Sequence, residues 1–103
     1  MARSAVAAAL KVRYLSVEQK QGLLHRINHA RGQVEAIGRM IDKEACVDEL
    51  LFQLAAAKSA LNQVALKLVE EHLVDCSRTC MEGTQEEIIR RITRALAAAF
   101  RGA

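Results

Sequence analysis

The sequence predicts an all-α protein, and three observations predict it. Ala, Leu, Glu, Lys, Arg and Gln dominate, proline is absent, and only Tyr14, Phe52 and Phe100 are aromatic; those dominant residues lose little on entering a helix. Apolar side chains recur at steps of three and four over long stretches, the period of a helix with one buried face. Cap-forming residues open two of these stretches. At 103 residues the chain offers a single core, or a share in one built with partner chains.

Residues 1–15 read as a flexible basic arm. Their apolar stretch Ala5 to Leu10 is closed off by Lys11 and Arg13 and is too short for a secretion signal. A single helical domain, 16–103, follows. Ser16-Val17-Glu18-Gln19 has a capping-box pattern, and Leu23, Ile27, Ala30, Val34, Ile37 and Ile41 then alternate steps of four and three; the expected helix spans 17–42. A second stripe runs Leu50, Leu54, Ala57, Leu61, Val64, Leu68 and on through His72 and Cys76, giving a helix over 47–78. Gly83-Thr84-Gln85-Glu86-Glu87 supplies a break, an N-cap and a glutamate three residues on. Ile88, Ile89, Ile92, Leu96 and Phe100 make a third helix over 85–100, with Gly102 as its terminator.

The two long helices, each about 40 Å at 1.5 Å per residue, are joined near Asp42 to Ala45 and leave apolar stripe on the open side of the hairpin. A second copy has to cover it. The expected assembly is an antiparallel four-helix bundle from two chains, with the third helix packed outside or mediating higher assembly, so a homodimer or a homotetramer. No apolar run approaches the roughly 18 residues that span a bilayer, so a cytoplasmic protein without a membrane partner is expected. Three cysteines, an odd number, argue for free thiols in a reducing compartment.

Charge is unevenly placed. Residues 1–31 carry six Lys/Arg against one Glu, 32–75 four against eight acids, and 76–103 five against three. Basic ends point to nucleic acid. On the first helix Lys20, Arg26 and Arg31, with His25 and His29 between them, present cations suited to phosphate. His72 and Cys76, at i and i+4, project from one face at a spacing that grips one ion. Cys80 lies one step further, and Cys46, at the other end of the second helix, can join them only from an antiparallel partner. No phosphate loop, Ser-His-Asp set, paired catalytic carboxylates or HExxH is present, so an enzyme has no residues to rest on; a helix-turn-helix is missing too.

Three segments, Arg26-Ile-Asn-His-Ala-Arg-Gly-Gln33, Gln53-Leu-Ala-Ala-Ala-Lys-Ser-Ala-Leu-Asn62 and Glu71-His-Leu-Val-Asp-Cys76, resemble in order and spacing the CsoR/RcnR family. The resemblance covers residues 17–100 and implies a repressor of that fold, whose operator binding is relieved by an inducer. It implies that His72 and Cys76 stand at ligand positions of the copper sensors, and that Arg26 and Lys58 stand at DNA-binding positions. Cuprous copper is the favoured inducer, since a thiolate-rich site suits a soft ion; zinc and nickel are the other candidate ions. A persulfide- or formaldehyde-sensing repressor of the same family is the alternative. One departure stands out: counting from Gln33 and Gln53, the family's cysteine falls at residue 47, where this chain has Val47 and its cysteine at Cys46. One residue is a rotation of about 100° on a helix, which leaves His72, Cys76 and Cys80 as the stronger ligand candidates.

Overall fold

The structure, a computed structural model, describes residues 14–101. The arm over 1–13 and the terminator Gly102 lie outside the described residues. Helices α1 (Val17–Asp42) and α2 (Val47–Lys67) form one compact unit. Described residues 14–16 and 68–101 belong to a second, which holds a π-helical turn (Leu68–His72), α3 (Leu73–Thr79) and α4 (Gln85–Phe100).

The hairpin unit follows from a repeat of seven. On α1, Ala30 and Ile37 are buried and Leu23 half-buried, whereas Ile27, Val34 and Ile41 are exposed. On α2, Ala57 and Val64 are buried and Leu50 half-buried, whereas Leu54 and Leu61 are exposed. Each apolar stripe is therefore two parallel rows. One row of each helix packs inside the hairpin, and the row displaced by four residues faces outward. Sevenfold spacing is what lets long helices pack along their whole length.

The turn between them is a Schellman motif. Ala45 N–H donates to the Met40 carbonyl at 2.9 Å and Glu44 N–H to that of Ile41 at 2.9 Å, the pair of bonds that closes a helix C-terminus. Glu44 takes the left-handed conformation, φ 55°, which glycine adopts without cost and other residues do not. The half-buried Met40 and Ala45 occupy the positions that make the motif's apolar contact.

In the second unit α4 begins with the expected cap. Glu87 N–H donates to Thr84 Oγ1 at 3.2 Å, and Thr84 N–H donates to Glu87 Oε1 at 3.4 Å, a complete capping box. Gly83, φ 115°, precedes it; a Cβ there would meet the Glu87 carboxylate at 3.0 Å. Ile88, Ile92, Leu96 and Phe100 are half-buried, while Ile89 is exposed.

One expectation needs correction. The helix expected over 47–78 is not a single α-helix, because Leu68–His72 take the i→i+5 hydrogen-bonding pattern and α3 runs on to Thr79. The reason lies in the spacing. Steps of 4-3-4-3-4 through Leu68 give way to two further fours, at His72 and Cys76. From Val64 to His72 a pure α-helix would drift about 80° out of phase. A π turn advances each residue by roughly 80° instead of 100°, which takes up most of that drift. The extra residue is thus absorbed next to the candidate ligands.

Candidate metal centre and nucleic-acid interface

His72 closes the π turn at φ −128°, ψ −12°, as the N-cap of α3, outside helical dihedral space in a region where functional residues are over-represented. It is the buried polar residue of the described chain, 4% exposed. Its Nε2 lies 3.9 Å from Glu71 Oε1.

Cys76 and Cys80 are brought together. Their sulfurs are 2.7 Å apart, and Cys80 Sγ donates to the Cys76 carbonyl at 3.1 Å. The contact arises because α3 ends here: Cys80 N–H makes the last bond to the Cys76 carbonyl at 2.9 Å, and Cys80, at φ −123°, ψ −2°, leaves the helix. Burial, first, and then the hydrogen bond and charge of Cys80 push the Cys76 thiol up to about 11. Arg91 and the Tyr14 hydroxyl oppose the rise. Tyr14 is pushed up in turn, chiefly by its own burial and then by the two sulfurs. Tyr14 O–H, Cys76 S–H and Cys80 S–H accordingly form a chain of donors ending on the Cys76 carbonyl.

The remaining candidate ligand, Cys46, is exposed and belongs to the hairpin unit, just before α2. Among the described residues no group of three or more His, Cys, Asp or Glu is gathered at metal-binding distance. The two sulfurs are thus joined in one chain, with His72 one turn before Cys76, and a third ligand is not drawn in with them.

The candidate DNA contacts lie on the hairpin. Lys20, Arg26, Arg31 and Lys58 are all exposed. Arg26 lines a groove of about 460 Å³ with Gly22, His25 and His29 of α1 and Ala60 and Gln63 of α2. A cation set between two imidazoles and an amide in a concavity is a better phosphate seat than one on a convex face, because several donors converge on one anion. Gln63 and Tyr14 escaped the sequence reasoning. Tyr14 had one available signal, being the chain's single tyrosine, set just before α1; Gln63 had none, since its position depends on how the two helices pack.

A family model described as a metal-sensitive transcriptional repressor matches residues 19–98. The chain is 40% identical over 67 residues to the copper-sensing transcriptional repressor RicR of Mycobacterium tuberculosis, covering 64% of this chain and 70% of that protein. It is 31% identical over 61 residues to the copper-sensing transcriptional repressor CsoR of Bacillus subtilis, covering 59% and 60%. To the copper-sensing transcriptional repressor CsoR of Mycobacterium ulcerans it is 28% identical over 80 residues, covering 77% and 68%. No solved structure matches.

Proposed function

The chain belongs to the family of metal-sensitive transcriptional repressors, and from that premise we propose that it releases operator DNA on binding cuprous copper at Cys76, Cys80 and His72. The observation that carries this reading is the thiol pair, with sulfurs 2.7 Å apart, in the turn after a buried imidazole. Two sulfurs and one nitrogen are the soft, low-coordinate donor set that favours a cuprous ion over zinc or nickel. The copper-sensing names of the relatives support the same ion. Two thiolates on one metal stand roughly 3.8 Å apart, taking about 2.3 Å per metal–sulfur bond. The pair therefore has to part to admit the ion, which breaks the hydrogen bonds that now link Tyr14, Cys76 and Cys80.

DNA is held by the hairpin through Arg26, with Lys20, Arg31 and Lys58 around it. The outward rows Ile27, Val34, Ile41 and Leu54, Leu61 are covered by a second copy in an antiparallel four-helix bundle, and pairs of dimers make the tetramer. Cys46 of a partner chain is the remaining candidate ligand. Induction requires the ion to favour the DNA-free state by a coupling free energy of about 1–3 kcal/mol, so some ligand must bridge parts that move.

The contact between the sulfurs also favours a second reading, a repressor of the same family whose inducer reacts with the thiols themselves. Stoichiometry separates the two. One cuprous ion per chain, lost in Cys76→Ala and weakened in His72→Ala, supports the metal reading; full binding by Cys76→Ala overturns it.

A further inference from the structure

The groove that seats Arg26 also seats two imidazoles. His25 and His29, at i and i+4 on α1, line one concavity of about 460 Å³ with Gly22, Arg26, Ala60 and Gln63. Side chains at that spacing are neighbours on a helix face, with Cβ atoms about 6 Å apart, and two histidines so placed are the arrangement by which a helix grips zinc. There is room for an ion beside the rings. Gly22 contributes no side chain, and a Cβ there would meet nothing within 4 Å; Ala60 contributes only a methyl group.

A second copy seated on the outward rows leaves this groove open. At 100° per residue, Ile27 of the outward row lies about 60° to one side of the buried Ala30, and His29 lies about 100° to the other. On α2, Leu61 lies about 40° to one side of the buried Ala57, and Gln63 about 120° to the other. The imidazoles and the outward rows therefore occupy opposite sides of the hairpin.

We propose that His25 and His29 hold a divalent ion of the zinc class in this groove, and that a phosphate oxygen of bound DNA completes its coordination, so that the ion strengthens operator binding. Imidazole nitrogens suit such an ion, whereas the thiol pair suits a soft one. Zinc takes four ligands. Among the described residues no group of three or more His, Cys, Asp or Glu gathers at metal-binding distance, so the chain supplies two ligands, and phosphate and water supply the others. Arg26 sets the sign of the coupling. In the free chain its charge opposes a cation beside it, and the ion is held weakly. A phosphate drawn in by Arg26 brings negative charge and an oxygen ligand to the same point, so ion and DNA raise each other's affinity by one factor. The hairpin thereby answers a divalent ion in the direction opposite to the cuprous release proposed for the second unit. The effect on DNA rests on the Arg26 groove being the operator's seat; the holding of the ion by two histidines does not.

The test compares the unaltered full chain, reduced, with His25→Gln plus His29→Gln, both exposed helix positions that glutamine suits. Operator affinity is read by anisotropy with micromolar free zinc and again with a strong chelator in its place. Zinc tightens the operator complex of the unaltered chain about tenfold relative to its effect on the variant. Any action of zinc at the thiols is common to both chains and cancels in that ratio. Chelator competition without DNA gives a second readout, in which the unaltered chain takes up one zinc more than the variant. Equal operator responses to zinc in the two chains, or equal zinc uptake, overturns the proposal. Arg26→Ala separates that failure from failure of the underlying reading. If Arg26→Ala weakens operator binding while the two chains respond to zinc alike, the seat stands and the coupling falls. If Arg26→Ala binds the operator as the unaltered chain does, the seat falls, and the effect of zinc on DNA falls with it.

Discussion

The hairpin over 17–67 and the segment over 68–101 are built from similar residues by opposite means. In the hairpin, rows of apolar side chains at steps of seven run without a fault, and its one irregular backbone position, Glu44, falls in the turn. In the second unit the register slips within Leu68–His72, a helix ends after seven residues, and the candidate ligands sit where these faults lie. Regular packing makes a rigid scaffold with a repeating outer surface, suited to meeting a second copy and a duplex. Irregular backbone frees side chains from the helical lattice, which lets an imidazole be buried and two thiols touch.

If that division of labour holds, changes in the second unit should erase metal binding and leave DNA contacts alone. The largest effect is expected for Cys76→Ala, whose loss of cuprous affinity should exceed the about 100-fold that removing a supporting group costs, with operator binding kept; competition with a chromophoric cuprous chelator reads it. Next comes deletion of Glu70, exposed within the π turn. The turn then closes as ordinary α-helix, four residues at about 100° covering the arc of five at about 80°, so that what changes is the non-helical backbone at His72, and metal affinity falls at least about tenfold while far-ultraviolet circular dichroism is unchanged. Unaltered affinity would mean that the π turn does not position the site.

Much of this division was legible in the sequence. The bounds of α1 and α4 follow from Ser16, Asp42, Thr84 and the 4-3 steps between them, because caps and periodicity are local properties. The π turn was written in the consecutive fours from Val64 to Cys76, but a stripe read by eye forgives one extra residue. Contact between Cys76 and Cys80 was hidden for a different reason. It depends on where α3 ends, and no glycine or proline marks that end.

The hairpin makes the converse prediction. Arg26→Ala should weaken operator binding several-fold and lower the slope of log affinity against log salt by about 1, with Lys58→Ala smaller and metal binding intact in both; anisotropy at several salt concentrations reads this. A smaller effect is expected at the turn, where Glu44→Gly relieves a left-handed residue and stabilises the chain by up to about 1 kcal/mol in thermal unfolding. The smallest concerns pH. The folded chain holds the Cys76 proton more tightly than the unfolded chain, about 11 against 9.0, so folding stability declines as pH climbs through that window and not below it. Cys76→Ala should flatten the decline.

The most direct test of the account is one oxygen-free titration of the reduced full chain with cuprous ion, in which metal uptake and operator release are recorded on the same sample. Release should track uptake at one ion per chain, Cys76→Ala should show neither, and Arg26→Ala should take up the ion normally from a weakened DNA complex. Uptake complete with the operator still held, or release unchanged in Cys76→Ala, would contradict it.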